Sequence, residues 1–293
     1  MNDHVLIPIV AALVGIAAGA DAAIWGMYKD AAHEGFSWPR FARSIVIGAA
    51  AALIIQQVVA LDVPRPGAVL VLFGLTYAAE RALVETWKTF VRVEDQSKYA
   101  IPMQFAIAGV PVQRRSLRLA AGALYVAVLA SAGSLAWHLL GDNGVLLQAG
   151  TTGFLVGLVI AIGGAWKDAP IEGFERLKFF RSPALTTVFA LLMFPLAQSV
   201  LLAAIAAVGY ERATSENDKT FFFPSRPRGK FAGKPVSHPH MLQRRHRFVP
   251  AYVASRLALA WFAVGAYNAV NRCTSGERGC EPTSAHVLLG ERP

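Results

Sequence analysis

The sequence predicts an all-α polytopic membrane protein made of two parallel repeats. Three observations predict it: long uncharged apolar runs, blocks of residues that recur in the same order, and basic residues concentrated in four connecting segments. Of the 293 residues, 55% are hydrophobic and only 16% are charged, whereas soluble domains carry about 25% charged residues. This composition argues for membrane insertion, because about 20 apolar residues cross a bilayer as a helix that satisfies its own backbone polar groups.

Six runs are nearly free of charge and are the candidate membrane segments: 5–25, 45–60, 119–140, 153–166, 185–210 and 252–270. The first run could be mistaken for a signal peptide. It lacks a basic leading region, it is longer than a usual apolar signal core, and it has an internal counterpart, so it is interpreted as a retained span.

Two blocks of the first half recur in the second half. Residues 29–44 and 167–182 are identical at nine of sixteen positions, and this segment is called the KDA-EGF block. Residues 80–90 match 211–221 and form the ERA-KTF block. The duplication predicts module 1 at 1–140, module 2 at 141–272, and an extracytoplasmic tail at 273–293.

The distribution of Lys and Arg predicts the topology. If the stretch between the two blocks enters the membrane and returns, segments 29–43, 81–118, 167–181 and 212–247 share one face and hold 23 of the 28 basic residues. A single crossing would divide the basic residues almost equally, against the positive-inside rule. Each module therefore has about four membrane segments, two full spans plus a hairpin. The modules are related by a pseudo-twofold axis along the membrane normal, and both termini are extracytoplasmic.

The second hairpin presents a problem of length. Its 28 residues give arms of about 13 residues, or ~20 Å, against a hydrocarbon core of ~30 Å. A re-entrant or short hairpin bent at Pro195 is expected.

The KDA-EGF block places charged side chains at a helix end next to the membrane. Two interpretations remain open: a headgroup or phosphate site, or a helix cap with a salt-bridged turn, in which Gly35 supplies the left-handed stop. The candidate residues are Lys29, Asp30, Glu34 and Arg43, with Lys167, Asp168, Glu172 and Arg181 in module 2.

The ERA-KTF block has charges at helical spacing. It is either a solvated helix end or a carboxylate pair for acid–base or cation chemistry. Its candidates are Glu80, Arg81, Glu85 and Lys88, with Glu211, Arg212, Glu216 and Lys219 in module 2. Glu34 and Glu172 are expected to hold corresponding positions and each to contact a basic group of the same cytoplasmic layer, with this block (Arg81 or Lys88, Arg212 or Lys219) as the favoured source.

Few polar residues fall inside the apolar runs, and such residues are functional candidates by default. They are Asp21, Gln56, Gln57, His138, Gln198 and Arg256. Asp21 and Arg256 break the repeat, because their counterparts are Val159 and, approximately, Leu129. An unpaired charge there costs at least ~2.5–3.5 kcal/mol, so the sequence predicts that Asp21 pairs with Arg256.

Other chemistry has little support. The net charge of +9 is explained by the positive-inside rule and indicates no nucleic acid. No metal site or cofactor is expected, since His238 and His240 have no acidic or cysteine partner nearby. Cys273 and Cys280 form a small disulfide loop if the tail is extracytoplasmic, and are otherwise free thiols.

These features favour a multi-pass inner-membrane protein that acts at the cytoplasmic interface on lipid or lipid-linked anionic headgroups, with anionic membrane lipids as its partners. One alternative is a transporter or channel with its path between the modules, lined by the re-entrant hairpins, in which substitution of Gln57 or Gln198 would abolish flux. A second is a non-catalytic subunit of a membrane assembly, and a homo-oligomer is also compatible. The sequence does not decide whether the protein is an enzyme.

Overall fold

A computed structural model describes residues 3–63, 65–140, 144–197, 199–223, 225 and 229–274. Long helices dominate this part of the chain: α1 (Asp3–Glu34), α2 (Trp38–Val59), α3 (Pro66–Thr86), α4 (Arg115–Leu140), α5 (Val145–Glu172), α6 (Arg176–Met193), α7 (Val200–Asn217), α8 (Pro239–Arg247) and α9 (Val249–Thr274). Helices α3 and α7 continue into π-helical turns, Trp87–Val91 and Asp218–Phe222. Three 3-10 turns, Gln96–Lys98, Phe194–Leu196 and Gly229–Phe231, and a ribbon of β1 (Ala106–Ile107) with β2 (Val110–Pro111) complete the described elements.

Seven helical segments are long and apolar enough to cross a membrane: α1, α2, α3 with its π turn, α4, α5, α6 with its 3-10 turn, and α8 with α9. Helix α7 fails this criterion, and it carries Glu211, Arg212 and Glu216 in its second half. The all-α, multi-pass class predicted from composition is confirmed.

Glycines allow the first two helices of each half to pack closely. A Cβ on Gly15 would lie 2.5 Å from the Gly48 carbonyl oxygen, and one on Gly153 would lie 2.9 Å from the Thr186 carbonyl oxygen. The connections are short because Gly35 and Gly173 end the first helices at φ +78° and +82°, a region that glycine occupies without steric cost. The left-handed stop predicted at Gly35 is confirmed.

The stretch between the two blocks forms a helical hairpin in both halves, α2 with α3 and α6 with α7. Each arm of the second hairpin has 18 residues, or ~27 Å of helix. The expected arms of about 13 residues were wrong, because α6 begins and α7 ends within the charged blocks.

Helices α3 and α7 form the centre of the bundle. A Cβ on Gly209 would clash with the Gly74 carbonyl oxygen, and the Tyr210 hydroxyl donates a hydrogen bond to the Leu70 carbonyl at 2.9 Å. The apolar window of α3 is 67% buried, against 12% for α4 and 6% for α8 with α9. The last spanning helix of each half, α4 and α9, therefore lies at the periphery of the bundle.

Two long loops cover one end of the bundle, and each reaches the first helix of the other half. The Trp166 indole of α5 donates to the Ala106 carbonyl at 2.9 Å. On α1, the Ala32 carbonyl accepts from the His238 backbone N–H at 2.9 Å, and His33 Nδ1 lies 2.7 Å from the Pro235 carbonyl. This end, with both pairs of charged blocks and the loops 92–114 and 229–238, is called the charged layer.

Candidate functional site: the charged layer

The two kinds of block meet as ion pairs between the halves of the chain. Lys29 Nζ lies 2.7 Å from Glu216 Oε2, and Lys167 Nζ lies 3.0 Å from Glu85 Oε2. The first pair is well covered, with side-chain exposures of 14% and 8%. Each KDA-EGF lysine is thus neutralised by the ERA-KTF block of the other half.

In module 1, the remaining charges of the ERA-KTF block are satisfied within it. Arg81 donates from Nε and Nη2 to the two carboxylate oxygens of Glu80, which is fully buried. The Arg81 guanidinium also lies 5.1 Å from the Trp25 ring centroid, a cation–π arrangement. Lys88 is 3.7 Å from Glu85.

Module 2 satisfies its ERA-KTF charges with different partners. The buried Glu211 accepts hydrogen bonds from the Ser182 hydroxyl at 2.7 Å and the Ser215 hydroxyl at 2.9 Å. Arg212 and Lys219 lie 3.5 and 3.4 Å from Glu216. Burial lowers the pKa of Lys219, although the nearby Glu216 carboxylate acts in the opposite direction.

The two KDA-EGF glutamates pair with the helix that follows them. Glu34 lies 3.4 Å from Arg40, and Glu172 pairs with Lys178. Each glutamate thus contacts a basic group, as predicted, but that group comes from the following helix and not from the ERA-KTF block, which was the favoured source. The turn at Gly35 brings the next helix within reach, and the ERA-KTF cations already pair with Glu80, Glu85 and Glu216. Asp30 and Asp168 remain within electrostatic reach of Lys29.

Arg43 and Arg181 differ from the other block cations. Within the described part of the chain, neither forms an ion pair with a carboxylate, and the Nε atom of each is buried with no hydrogen-bond partner. Both lie near the start of their helices, beside partly exposed aromatic residues: Phe36, Trp38 and Phe41 in module 1, and Phe174, Phe179 and Phe180 in module 2.

Loop 92–114 adds a cluster of polar side chains that alignment of the two halves of the sequence did not reveal. Arg92 Nη1 donates to the Tyr99 hydroxyl at 2.8 Å and lies 3.4 Å from Glu94, and the Tyr99 hydroxyl donates to Glu94. Burial, followed by the hydrogen bond to Glu94, raises the pKa of Tyr99. The repeat concealed these residues because Phe223 and Ser225 stand at the positions matching Arg92 and Glu94. The run of charge after the ERA-KTF block was the available signal.

The predicted Asp21–Arg256 pair is confirmed. Arg256 Nη2 lies 2.6 Å from Asp21 Oδ1, with side-chain exposures of 24% and 14%. The Asn217 amide donates to the second Asp21 oxygen at 3.0 Å, and the Arg256 guanidinium lies 5.0 Å from the Tyr252 ring centroid. This network joins α1, α7 and α9.

The other intramembrane candidates are not brought together. Gln56 is half-buried on α2, Gln57 is exposed, and His138 is exposed on α4. Gln198, Cys280 and the Cys273 side chain lie outside the described residues. Among the residues described, no three His, Cys, Asp or Glu side chains are grouped as metal ligands.

The described chain is therefore a multi-pass, predominantly helical membrane protein with its block charges gathered in one layer. Comparison with protein-family models, with curated proteins and with solved structures finds no match to this chain.

Proposed function

We propose that this is an inner-membrane protein that binds anionic lipid headgroups at a cytoplasmic charged layer, through Arg43 in module 1 and Arg181 in module 2. One observation carries the proposal. Among the candidate cations of the blocks that the structure describes, Lys29, Lys167 and the four cations of the ERA-KTF blocks form ion pairs with carboxylates, and Arg43 and Arg181, at matching positions, do not. A buried polar group without a partner is costly, and the phosphate oxygens of a headgroup would satisfy both.

The chain consists of two modules related by a pseudo-twofold axis. Matching residues make matching contacts: Gly15 meets Gly48 and Ala52, and Gly153 meets Thr186 and Ala190, each 138 positions later. The π turns at Trp87–Val91 and Asp218–Phe222 also fall at matching positions. The reciprocal lysine–glutamate pairs support the same symmetry.

The charged layer faces the cytoplasm, and both termini lie on the other side. The basic residues of this layer support the orientation through the positive-inside rule. Trp38 and Phe174, which are 72% and 61% exposed, are typical of the membrane–water interface, where aromatic rings lie at headgroup depth. A headgroup at this depth would reach the start of α2 and α6.

Transport between the modules is less well supported. A polar path would have to pass between α3 and α7, which are in close contact through Gly74 and Gly209. Gln57, the residue expected to support flux through such a path, is exposed on α2.

Native mass spectrometry of the full-length protein tests the proposal. The wild type is released from nanodiscs containing phosphatidylcholine and phosphatidylglycerol, and retained lipids are counted. We expect the wild type to retain phosphatidylglycerol preferentially and the double variant Arg43→Gln/Arg181→Gln to lose most of it.

The matched control is Arg114→Gln/Arg176→Gln, which removes two charges from exposed positions of the same layer. Equal retention of phosphatidylglycerol by the wild type and both double variants would contradict the proposal. Equal losses of phosphatidylglycerol in the two double variants would also contradict the proposal, because they would show a non-specific effect of charge.

A further inference from the structure

We infer that Arg92, with Arg40 and Arg43, forms a phosphate-binding site in module 1 that module 2 lacks. The inference rests on the proposed function, because it assigns the headgroup phosphate to one of the two modules.

The free edge of Arg92 is the first observation. Its Nη1 atom is engaged by Tyr99 and Glu94, while Nε and Nη2 are buried and have no partner among the described residues. These two N–H groups form the side-on edge of a guanidinium, which binds two oxygens of one carboxylate or phosphate. Arg81 uses the same two atoms to hold Glu80, which shows how this chain satisfies such an edge.

Three guanidinium groups converge on this site. Arg92 and Arg40 lie over the Tyr99 ring, 4.7 and 5.7 Å from its centroid. Arg43 lies within electrostatic reach of both, and its Nε is the third buried N–H without a partner. Arg118 holds the backbone of Arg92 in place, since its Nη1 donates to the Arg92 carbonyl at 3.0 Å.

The local charge favours an anion. Arg40 and Arg92 each have one carboxylate in ion-pair range, Glu34 and Glu94, both at the long distance of 3.4 Å. Arg43 forms no ion pair among the residues described, although Glu80, which is held by Arg81, lies within its electrostatic reach. Four arginines therefore face three carboxylates, which leaves one positive charge next to three unsatisfied donors. A phosphate group has several oxygens that can accept hydrogen bonds from such guanidinium donors.

Module 2 does not reproduce the cluster. Lys178 stands at the position of Arg40, Phe223 at that of Arg92, and Phe231 at that of Tyr99. Only Arg181 is retained, and a lysine cannot replace a guanidinium at a bidentate site. The inference therefore predicts one tight phosphate site per chain.

A ligand reaches the site past Arg40. This side chain is 43% exposed and its pair with Glu34 is long, so Arg40 can rotate outward and then close over a bound phosphate. Trp38, two residues before Arg40, is 72% exposed, as expected for an aromatic residue at headgroup depth.

The test measures binding of phosphatidic acid to the full-length protein in phosphatidylcholine nanodiscs. The single variants are Arg92→Gln, Arg92→Lys, Arg43→Gln and Arg181→Gln, with Arg176→Gln as the exposed control. Loss of hydrogen bonds to a charged group predicts that Arg92→Gln and Arg43→Gln weaken binding about tenfold to hundredfold. Arg176→Gln should stay within about twofold. Arg181→Gln should weaken binding less than Arg92→Gln does, because module 2 offers a single arginine at this place.

Arg92→Lys keeps the charge and removes the forked edge, so it should also weaken binding, and it guards against misfolding of the glutamine variant. Unchanged affinity in both Arg92 variants, with loss in Arg43→Gln/Arg181→Gln, would overturn this inference and leave the proposed function standing. Unchanged affinity in every variant would overturn both.

A separate arm titrates glycerol 3-phosphate and inorganic phosphate against the protein in detergent. No competition with phosphatidic acid supports a lipid headgroup as the source of the phosphate. If glycerol 3-phosphate competes fully with phosphatidic acid, and this competition is lost in Arg92→Gln, the arginine site is supported. Its ligand is then a soluble phosphate ester, which would overturn the lipid assignment.

Discussion

The Asp21–Arg256 pair gives the sharpest test of how the two modules are held together. Both charges occur once in the chain at positions where the other module has an aliphatic residue, Val159 and, approximately, Leu129. The informative variants are therefore Asp21→Val, Arg256→Leu and the double variant, each of which installs a residue that this fold already uses at the matching position.

The expected magnitude follows from burial. Removing one partner of a buried ion pair costs ~3–5 kcal/mol, and replacing both by apolar residues is often neutral. Because the side chains are 14% and 24% exposed, a loss near the lower end, about 3 kcal/mol, is expected for each single variant. Asp21→Val should be the more harmful of the two single variants. It leaves the Arg256 guanidinium with its contact to Tyr252, whereas in Arg256→Leu the Asp21 carboxylate still accepts a hydrogen bond from Asn217.

The assay is thermal denaturation in one detergent, followed as loss of the monodisperse peak in size-exclusion chromatography. A loss of 3 kcal/mol corresponds to a fall of about 6–12 °C in the melting midpoint, and the double variant should recover most of it. Additive losses, with a coupling energy under about 0.5 kcal/mol, would refute the idea that the two charges stabilise each other.

Three further predictions concern the reciprocal ion pairs, the central helix crossing and the topology. Lys29→Glu should destabilise the protein by about 3 kcal/mol. The charge exchange Lys29→Glu/Glu216→Lys should restore much of the melting midpoint. Equal destabilisation by the single variant and the exchanged variant would argue against the ion pair. Gly209→Ala should cost about 1–3 kcal/mol or more through overpacking, whereas Gly164→Ala, where a Cβ meets nothing within 4 Å, should be neutral or stabilising in the same melting assay. In a variant without the two native cysteines, Ser237→Cys should react with an impermeant maleimide only from the cytoplasmic side, and labelling solely from outside would reverse the proposed orientation.

Sequence reasoning predicted the parts of the charged layer that depend on composition and on single charges in apolar surroundings. Asp21 and Arg256 could be paired from the sequence because an isolated charge in a membrane span needs a partner, and the repeat left only one of each sign. The left-handed stop at Gly35 followed from local backbone chemistry. In both cases the sequence offered a single residue that could meet the physical requirement: one opposite charge for the pair, and one glycine for the helix stop.

The partners of the other charges could not be deduced in this way. On a helix, Glu85 has basic neighbours at i+3 and i−4, Lys88 and Arg81, so the spacing suggested local pairs. The structure pairs Glu85 with Lys167 at 3.0 Å as well as with Lys88 at 3.7 Å. Contacts between segments 82 residues apart depend on how helices pack, which a charge pattern does not contain.

Arg92 was missed for a different reason. Repeat comparison selects what the two modules share, and the module 1 cluster consists of what they do not share. The charged residues that the two halves share form ion pairs with each other, Lys29 with Glu216 and Lys167 with Glu85. The shared residues therefore mainly stabilise the packing of one half against the other. Among the described arginines, Arg43, Arg181, Arg118 and Arg256 each keep a buried Nε without a partner, and Arg92 is alone in keeping two such donors. The residues that the two halves share thus explain how the layer is held together, and the proposed anion site lies where the two halves differ.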